Sequence, residues 1–198
     1  PSTATPEPSP STATPEPSPS TATPKKNREI VFGGLDWVSA LVQNGVARYI
    51  VEHGYGYPTS EKLGTASPLF QGLRKGDLDV AMDIWLPNFE VVWHEAIEAG
   101  EVIPAGKSPE FMIALNTELL EDAPELISFF KNWDWHAGNM LPAEAWFAAN
   151  EDRLTRQGKS SEEIFSATGV WYLKNNDEWE DWVPNDIAAN VEAALAQE

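Results

Sequence analysis

Two stretches of the chain decide its fold, residues 30–57 (IVFGGLDWVSALVQNGVARYIVEHGYGY) and residues 68–93 (PLFQGLRKGDLDVAMDIWLPNFEVVW). The apolar run at residues 29–32 predicts a β-strand, and the apolar residues after it recur at helical spacing. In the second stretch, residues 78–84 alternate as a strand does, and a helical pattern lies on either side of them. Strands that alternate with helices predict an α/β domain with a mainly parallel sheet and flanking helices.

The rest of the chain adds two short strands and a helical carboxy-terminal part. Apolar runs at residues 101–104 and 111–115 predict the strands. Asp36 and Asp122 are suitable amino-terminal caps for the helices that follow them. Ser160 and Glu163 have the spacing of a capping box. Beyond Asn116, helical spacing predicts four helices, near residues 125–133, 140–150, 164–173 and 186–195.

The amino-terminal segment, residues 1–24, differs from everything after it. STATPEPSP occurs at residues 2–10 and again at residues 11–19, and 8 of the 16 prolines lie in this segment. Such a composition has no apolar surface to offset the entropy of ordering, so we expect a disordered, extended linker of roughly 75 Å. An O-glycosylated stalk or a ligand for a proline-binding domain are alternatives. Residues 25–198 then form one domain of ordinary size.

Composition and motifs exclude several functions. The net charge of -18 opposes nucleic-acid binding, and the absence of Cys excludes thiolate metal sites and thiol nucleophiles. The three His lie far apart, and the chain has none of the common phosphate-loop, dinucleotide or serine-hydrolase motifs. The alternating Asp77, Asp79 and Asp83 do not have the spacing of a calcium loop. We therefore expect a protein that is not an enzyme and has no cofactor and no metal.

The nine Trp residues are the informative part of the sequence. Trp37 follows the first predicted strand and Trp85 ends the strand at residues 78–84, and ligands of open parallel sheets bind at the carboxyl ends of strands. A Trp ring attracts a cation, best of all a quaternary ammonium. The Gly-rich turn and helix start beside Trp37 would suit a carboxylate. Together these features describe a zwitterion such as a betaine. The other aromatics that we expect in the core are Trp133, Trp146, Trp171, Trp179 and Trp182.

The same two stretches resemble the glycine betaine/choline substrate-binding proteins of ABC importers. The segment WLPN at residues 85–88 is the most specific piece, and residues 111–140 and 171–183 also look like that family. The resemblance implies a lobe of the type II periplasmic-binding-protein fold and a Trp cage around the trimethylammonium group, to which Trp85 contributes. It places Trp37 and Asp36 at the ligand cleft. It also implies an ABC permease as partner and an extracytoplasmic location, with the linker as a tether.

The chain departs from the family where a second lobe should begin. After GKS at residues 106–108 it passes directly to Phe111, which belongs to the returning strand. A lobe is therefore missing near residues 108–110, and we expect weakened affinity, because a cage closed from both sides would lose one side. Two alternatives stay open, a carbohydrate-binding module on a Pro-rich linker and a lobe that docks on a partner without binding solute.

Overall fold

A computed structural model of the chain describes residues 26–109 and 111–198. The linker predicted for residues 1–24 lies outside these residues. The strands of the described part are β1 (Ile30–Leu35), β2 (Thr59–Gly64), β3 (Val80–Trp85), β4 (Val102–Ala105) and β5 (Phe111–Asn116). The helices are α1 (Val38–Tyr49), α2 (Ala66–Arg74), α3 (Leu86–Glu98), α4 (Leu119–Asp122), α5 (Pro124–Asn132), α6 (Ala137–Arg156), α7 (Ser161–Asn175) and α8 (Asn185–Leu195).

The strands form a five-stranded sheet in the order β2-β1-β3-β5-β4. β1 pairs in parallel with β2 and with β3, and β5 is antiparallel to β3 and to β4. Four strands therefore run in one direction and only β5 runs against them. Buried apolar clusters cover both faces of the sheet. The predicted α/β fold with a mainly parallel sheet and a helical carboxy-terminal part is confirmed.

The edge strand β2 was not predicted, because its sequence TSEKLG is polar and none of its residues is fully buried. β1 also runs further than predicted, through Gly33 and Gly34. A Cβ added at Gly34 would lie 2.6 Å from Leu63 Cδ2 of the neighbouring strand. The two glycines thus sit inside the strand because a neighbour approaches closely, which is a recurrent role of glycine in sheets.

Two of the three predicted caps are wrong. α1 begins one residue later than expected, with Trp37 as its N-cap, so Asp36 does not cap it. α5 has Ala123 as N-cap and a proline in its first turn, where the missing N–H costs nothing, and Asp122 instead ends α4. The capping box of Ser160 and Glu163 at α7 is confirmed.

The carboxy-terminal helices pack against α1 and against a cluster of buried Trp. Trp133 lies 5.7 Å from Trp135 and 4.5 Å from Trp182, measured between ring centroids. Trp179 is 1% exposed, so its predicted core position is confirmed. Trp146 and Trp171 are partly buried and stack on each other at 5.7 Å. No helix within residues 26–109 and 111–198 has the length and apolar character of a membrane span.

Candidate functional site

The carboxyl ends of β1 and β3 form one edge of the sheet, and two of the predicted site residues lie there. β1 and β3 are parallel neighbours, with Phe32 opposite Val80. Trp37 follows β1 by two residues, and Trp85 is the last residue of β3. Parallel strands bring their carboxyl ends together, so the fold places both Trp residues at the position where sheets of this kind bind ligands.

Trp85 differs from every other Trp of the chain in its exposure. It is 49% exposed, whereas the other eight Trp residues are all buried or partly buried, Trp37 among the latter. Its backbone caps α3, whose first turn holds a proline, so the ring is carried by a rigid strand–helix junction. A large, rigidly held and exposed aromatic is a feature of binding surfaces.

Trp37 is held by a buried carboxylate that sequence reasoning did not assign to the site. The indole Nε1–H of Trp37 donates a hydrogen bond to Asp83 Oδ2 at 2.8 Å. The hydroxyl of Ser39 donates to the same oxygen. Asp83 is 5% exposed and has a φ of 61°, a conformation that is strained for a residue with a Cβ. The strand register shifts between Ala81 and Ile84, which turns this side chain toward α1.

The alternating aspartates of β3 have separate structural roles. Arg28 Nη2 lies 2.5 Å from Asp79 Oδ1, and the Val31 N–H donates to Asp79 Oδ2 at 2.8 Å. Burial nevertheless raises the pKa of Asp79. Asp79 therefore joins the amino-terminal ends of β1 and β3, while Asp83 acts near their other ends. The spacing of these residues could have drawn attention to Asp83, but only the strand register separates its role from that of Asp79.

A further carboxylate, Glu144 on α6, lies close enough to Asp83 for their charges to repel. Burial raises the pKa of Glu144, and the Asp83 charge raises it further. Asp36, the third predicted site residue, is exposed between β1 and α1. The edge thus combines two Trp rings with acidic groups, and this combination favours a cation.

Phe111 supplies a second exposed aromatic beside Trp85. It is the first residue of β5 and pairs directly with Trp85 in the antiparallel ladder. Residues opposite each other in such a ladder point to the same face, with Cβ atoms about 5 Å apart. Phe111 is 37% exposed. Phe111 and Trp85 lie 26 positions apart in the sequence, and no local signal predicts that their strands pair in this register.

β4 ends at Ala105 and β5 begins at Phe111, so five residues separate the two strands at this edge of the sheet. Five residues make a loop and not a globular lobe. Gly106 has a φ of 85°, which turns the chain sharply after β4. The edge with Trp85 and Phe111 is therefore open on the side where this loop lies.

A cavity of about 690 Å³ lies elsewhere, between α1, α6 and α7. Two of its basic residues are paired, Arg48 with Glu162 at 2.9 Å and Lys159 with Glu163 at 2.8 Å, and the stacked rings of Trp146 and Trp171 also line it. Neither Trp37 nor Trp85 lines it. Ligands of open parallel sheets bind at the carboxyl ends of the strands, where those two Trp residues lie, so the open edge remains the candidate site.

Comparisons with known proteins show which kind of protein the chain resembles. Residues 28–111 match the model of a family described as the substrate binding domain of an ABC-type glycine betaine transport system. The predicted resemblance to glycine betaine/choline substrate-binding proteins is confirmed over this range, which contains Trp37, Asp83 and Trp85. Proteins of this kind are transporter binding proteins and not enzymes, and the match supports a solute-binding role. None of the curated proteins matches the chain.

Solved structures share the fold. An ABC-transporter choline binding protein in complex with choline has a TM-score of 0.64 at 12% identity, over 84% of this chain and 98% of that chain. The glycine betaine/L-proline-binding protein ProX of Borrelia burgdorferi has a TM-score of 0.64 at 11% identity, over 83% and 100%. Lactococcal OpuAC, closed on glycine betaine, has a TM-score of 0.59 at 9% identity, over 80% and 100%. The chain thus has the fold of periplasmic binding proteins.

Proposed function

We propose that this chain is the solute-binding component of an ABC importer for a quaternary ammonium compound of the glycine betaine/choline type. The observation that carries the proposal is the exposed Trp85 at the carboxyl end of β3, beside Trp37, in the part of the chain that matches the family. The trimethylammonium group lies on the face of Trp85. Trp37 and Asp36 contribute from the β1–α1 junction.

Recognition follows from the chemistry of the ligand. A quaternary ammonium has no N–H to donate, so it is bound by ring faces and by negative charge and not by hydrogen bonds. The edge offers both, because Trp85 and Phe111 present exposed rings and Asp83 and Glu144 present carboxyl groups. The compound is carried without any chemical change.

The affinity of this chain alone is low, because it consists of one lobe and the second lobe is missing near residues 108–110. One exposed aromatic face contributes about 0.5–1 kcal/mol to the binding of a cation, and about 2 kcal/mol when desolvated. Trp85 is 49% exposed and has no second lobe to cover it, so the lower values apply. A dissociation constant of 1 mM corresponds to about 4 kcal/mol, so millimolar binding requires the rings and carboxyl groups of the edge to act together, and we expect nothing tighter.

The location and partners follow from the same role. The chain works outside the cytoplasm, delivers its ligand to a membrane permease, and is tethered through residues 1–24. These features rest on the family match and on the repeats in the sequence.

Isothermal titration of the full chain with choline and with glycine betaine tests the proposal. We expect saturable millimolar binding of at least one of them, lost in Trp85→Ala. Val91→Ala is the matched control, because Val91 is a 72% exposed apolar residue on α3 outside the site. The absence of saturation up to tens of millimolar would contradict solute binding and favour a lobe that only docks on a partner. Micromolar binding would contradict the weakened affinity.

A further inference from the structure

Asp83 is the most constrained residue at the open edge. It is buried and has a φ of 61°, a left-handed conformation that residues with a Cβ rarely adopt. Such strain persists where the surrounding structure over-determines it, and it is concentrated at functional sites. Two groups hold the Asp83 side chain in this conformation, the Trp37 indole and the Ser39 hydroxyl, and both belong to the start of α1.

The two hydrogen bonds fix the ring of Trp37. Both donate to Asp83 Oδ2, so the carboxylate connects β3 to the first turn of α1. A hydrogen bond to an ionised acceptor is stronger and more directional than a neutral one. The half-buried Trp37 ring also packs against an apolar cluster of the core, and the hydrogen bond to Asp83 fixes its orientation there.

The same carboxylate also places negative charge at the edge of the Trp37 ring. Asp83 is shielded from water, and a charge in such a place is screened less than one on the surface. The nearby Glu144 carboxyl adds to this field. A cation on the Trp rings is therefore attracted by the carboxylates as well as by the rings.

We propose that Asp83 is a positioning residue that orients Trp37 through its Oδ2 and that its charge makes the edge select a cationic ligand over a neutral one of the same shape. This inference rests on the proposed function, because it concerns the same ligand and the same site. It assigns to Asp83 a role in discrimination in addition to its role in the fold.

The experiment compares two probes, choline and the neutral alcohol in which carbon replaces its ammonium nitrogen (dimethylbutanol). Each is titrated calorimetrically into the wild-type chain, into Asp83→Asn and into Ser39→Ala. Asn keeps a hydrogen-bond acceptor and tolerates a positive φ, so Asp83→Asn removes the charge and retains the fold. Ser39→Ala removes one of the two donors and retains the charge.

We expect Asp83→Asn to lose about tenfold in choline affinity, equivalent to 1.4 kcal/mol, and to keep its affinity for the neutral alcohol. Ser39→Ala should keep the preference for choline. Equal losses for both probes in Asp83→Asn, or no loss for either, would overturn the inference and leave the proposed function standing. Failure of the wild-type chain to bind choline would overturn the inference, and failure to bind glycine betaine as well would overturn the proposed function.

A ligand-free measurement tests the positioning role separately. In an NMR spectrum of the indole N–H groups, the Trp37 resonance should move in Asp83→Asn, because its hydrogen bond changes from an ionised to a neutral acceptor. The Trp179 indole, which donates to the Leu173 carbonyl at 3.2 Å, should stay in place. An unmoved Trp37 resonance would contradict the positioning role.

Discussion

Gly169→Ala should destabilise the chain strongly, although it adds a single methyl group to a helix. Gly169 of α7 packs directly on Gly45 of α1, where an added Cβ would lie within 3.0 Å of the Gly45 backbone and 2.8 Å from the Val46 nitrogen. The helices must separate by at least 0.6 Å to bring that last contact from 2.8 to 3.4 Å. Both contacting atoms are backbone, so no side chain can rotate away to make room.

The magnitude follows from two opposing terms. Overpacking costs about 3 kcal/mol at the upper end of its usual range, which applies to a backbone contact. The higher helix propensity of Ala relative to Gly stabilises the folded state by about 1 kcal/mol and partly offsets this cost. The net loss of about 2 kcal/mol lowers the melting temperature by about 4–8 °C for a domain of this size.

Thermal and urea unfolding, followed by circular dichroism, measure this change. Gly72→Ala in α2 is the matched control, because its Cβ would be 3.7 Å from its nearest neighbours. The control should gain stability, by up to about 1 kcal/mol. If Gly169→Ala were as stable as Gly72→Ala, the close crossing of α1 and α7 would be refuted.

Three further predictions concern the stability of the chain and its dependence on pH. Hydrogen bonds from Lys159 and from the Ser160 N–H lower the pKa of Glu163 to about 2. The folded state then holds this proton less tightly than the unfolded state, so the stabilisation is present at neutral pH and is lost as the pH falls from 4.5 toward 2. Unfolding of wild type and Glu163→Gln should differ at neutral pH and converge in acid, and a constant difference would contradict this. Asn116→Ala should lower the free energy of unfolding in urea by about 2 kcal/mol, because the Asn116 side chain donates to the Leu73 carbonyl and accepts from the Glu118 N–H. An unchanged free energy of unfolding would contradict these hydrogen bonds. Ultraviolet titration of the folded chain should show that buried tyrosines ionise above the ordinary pKa of 10. Stability should fall at higher pH, because the folded state resists deprotonation of these phenols more than the unfolded state does. Ionisation of all tyrosines near pH 10 in the folded chain would contradict this. The tyrosines whose pKa burial raises are Tyr49 (to about 12), Tyr55, Tyr57 and Tyr172.

The sequence predicts the alternation of strands and helices because the core is built from strongly periodic segments. α1 is clear because its large apolar residues recur at helical spacing in the sequence, and β3 is clear because it is a short, mostly apolar run that is buried from Val80 to Ile84. The sequence pattern does not reveal β2, because this edge strand buries little surface and most of its residues are polar. Asp36 and Asp122 show the limit of capping signals, because a neighbouring residue can take the cap position when tertiary packing sets the helix start.

The candidate site could be predicted only in part. Trp85 and Trp37 follow from their position after strands, which is a local signal. Phe111 and Asp83 depend on the pairing of distant strands and on a register shift within β3, and these are tertiary features. The exposure of Trp85 likewise depends on what packs beside it, and a single Trp in a sequence is usually core.

The most direct test of the account is to observe which indole groups respond to the ligand. The chain is labelled at its Trp indole nitrogens and titrated with choline and with glycine betaine while NMR spectra are recorded, with assignments from single Trp→Phe variants. If the ligand binds at the open edge, the Trp85 and Trp37 resonances should move together and saturate. Those of the stacked pair Trp146 and Trp171, beside the other cavity, should stay fixed. Shifts at Trp146 and Trp171 instead, or no saturable shift at any indole, would contradict it.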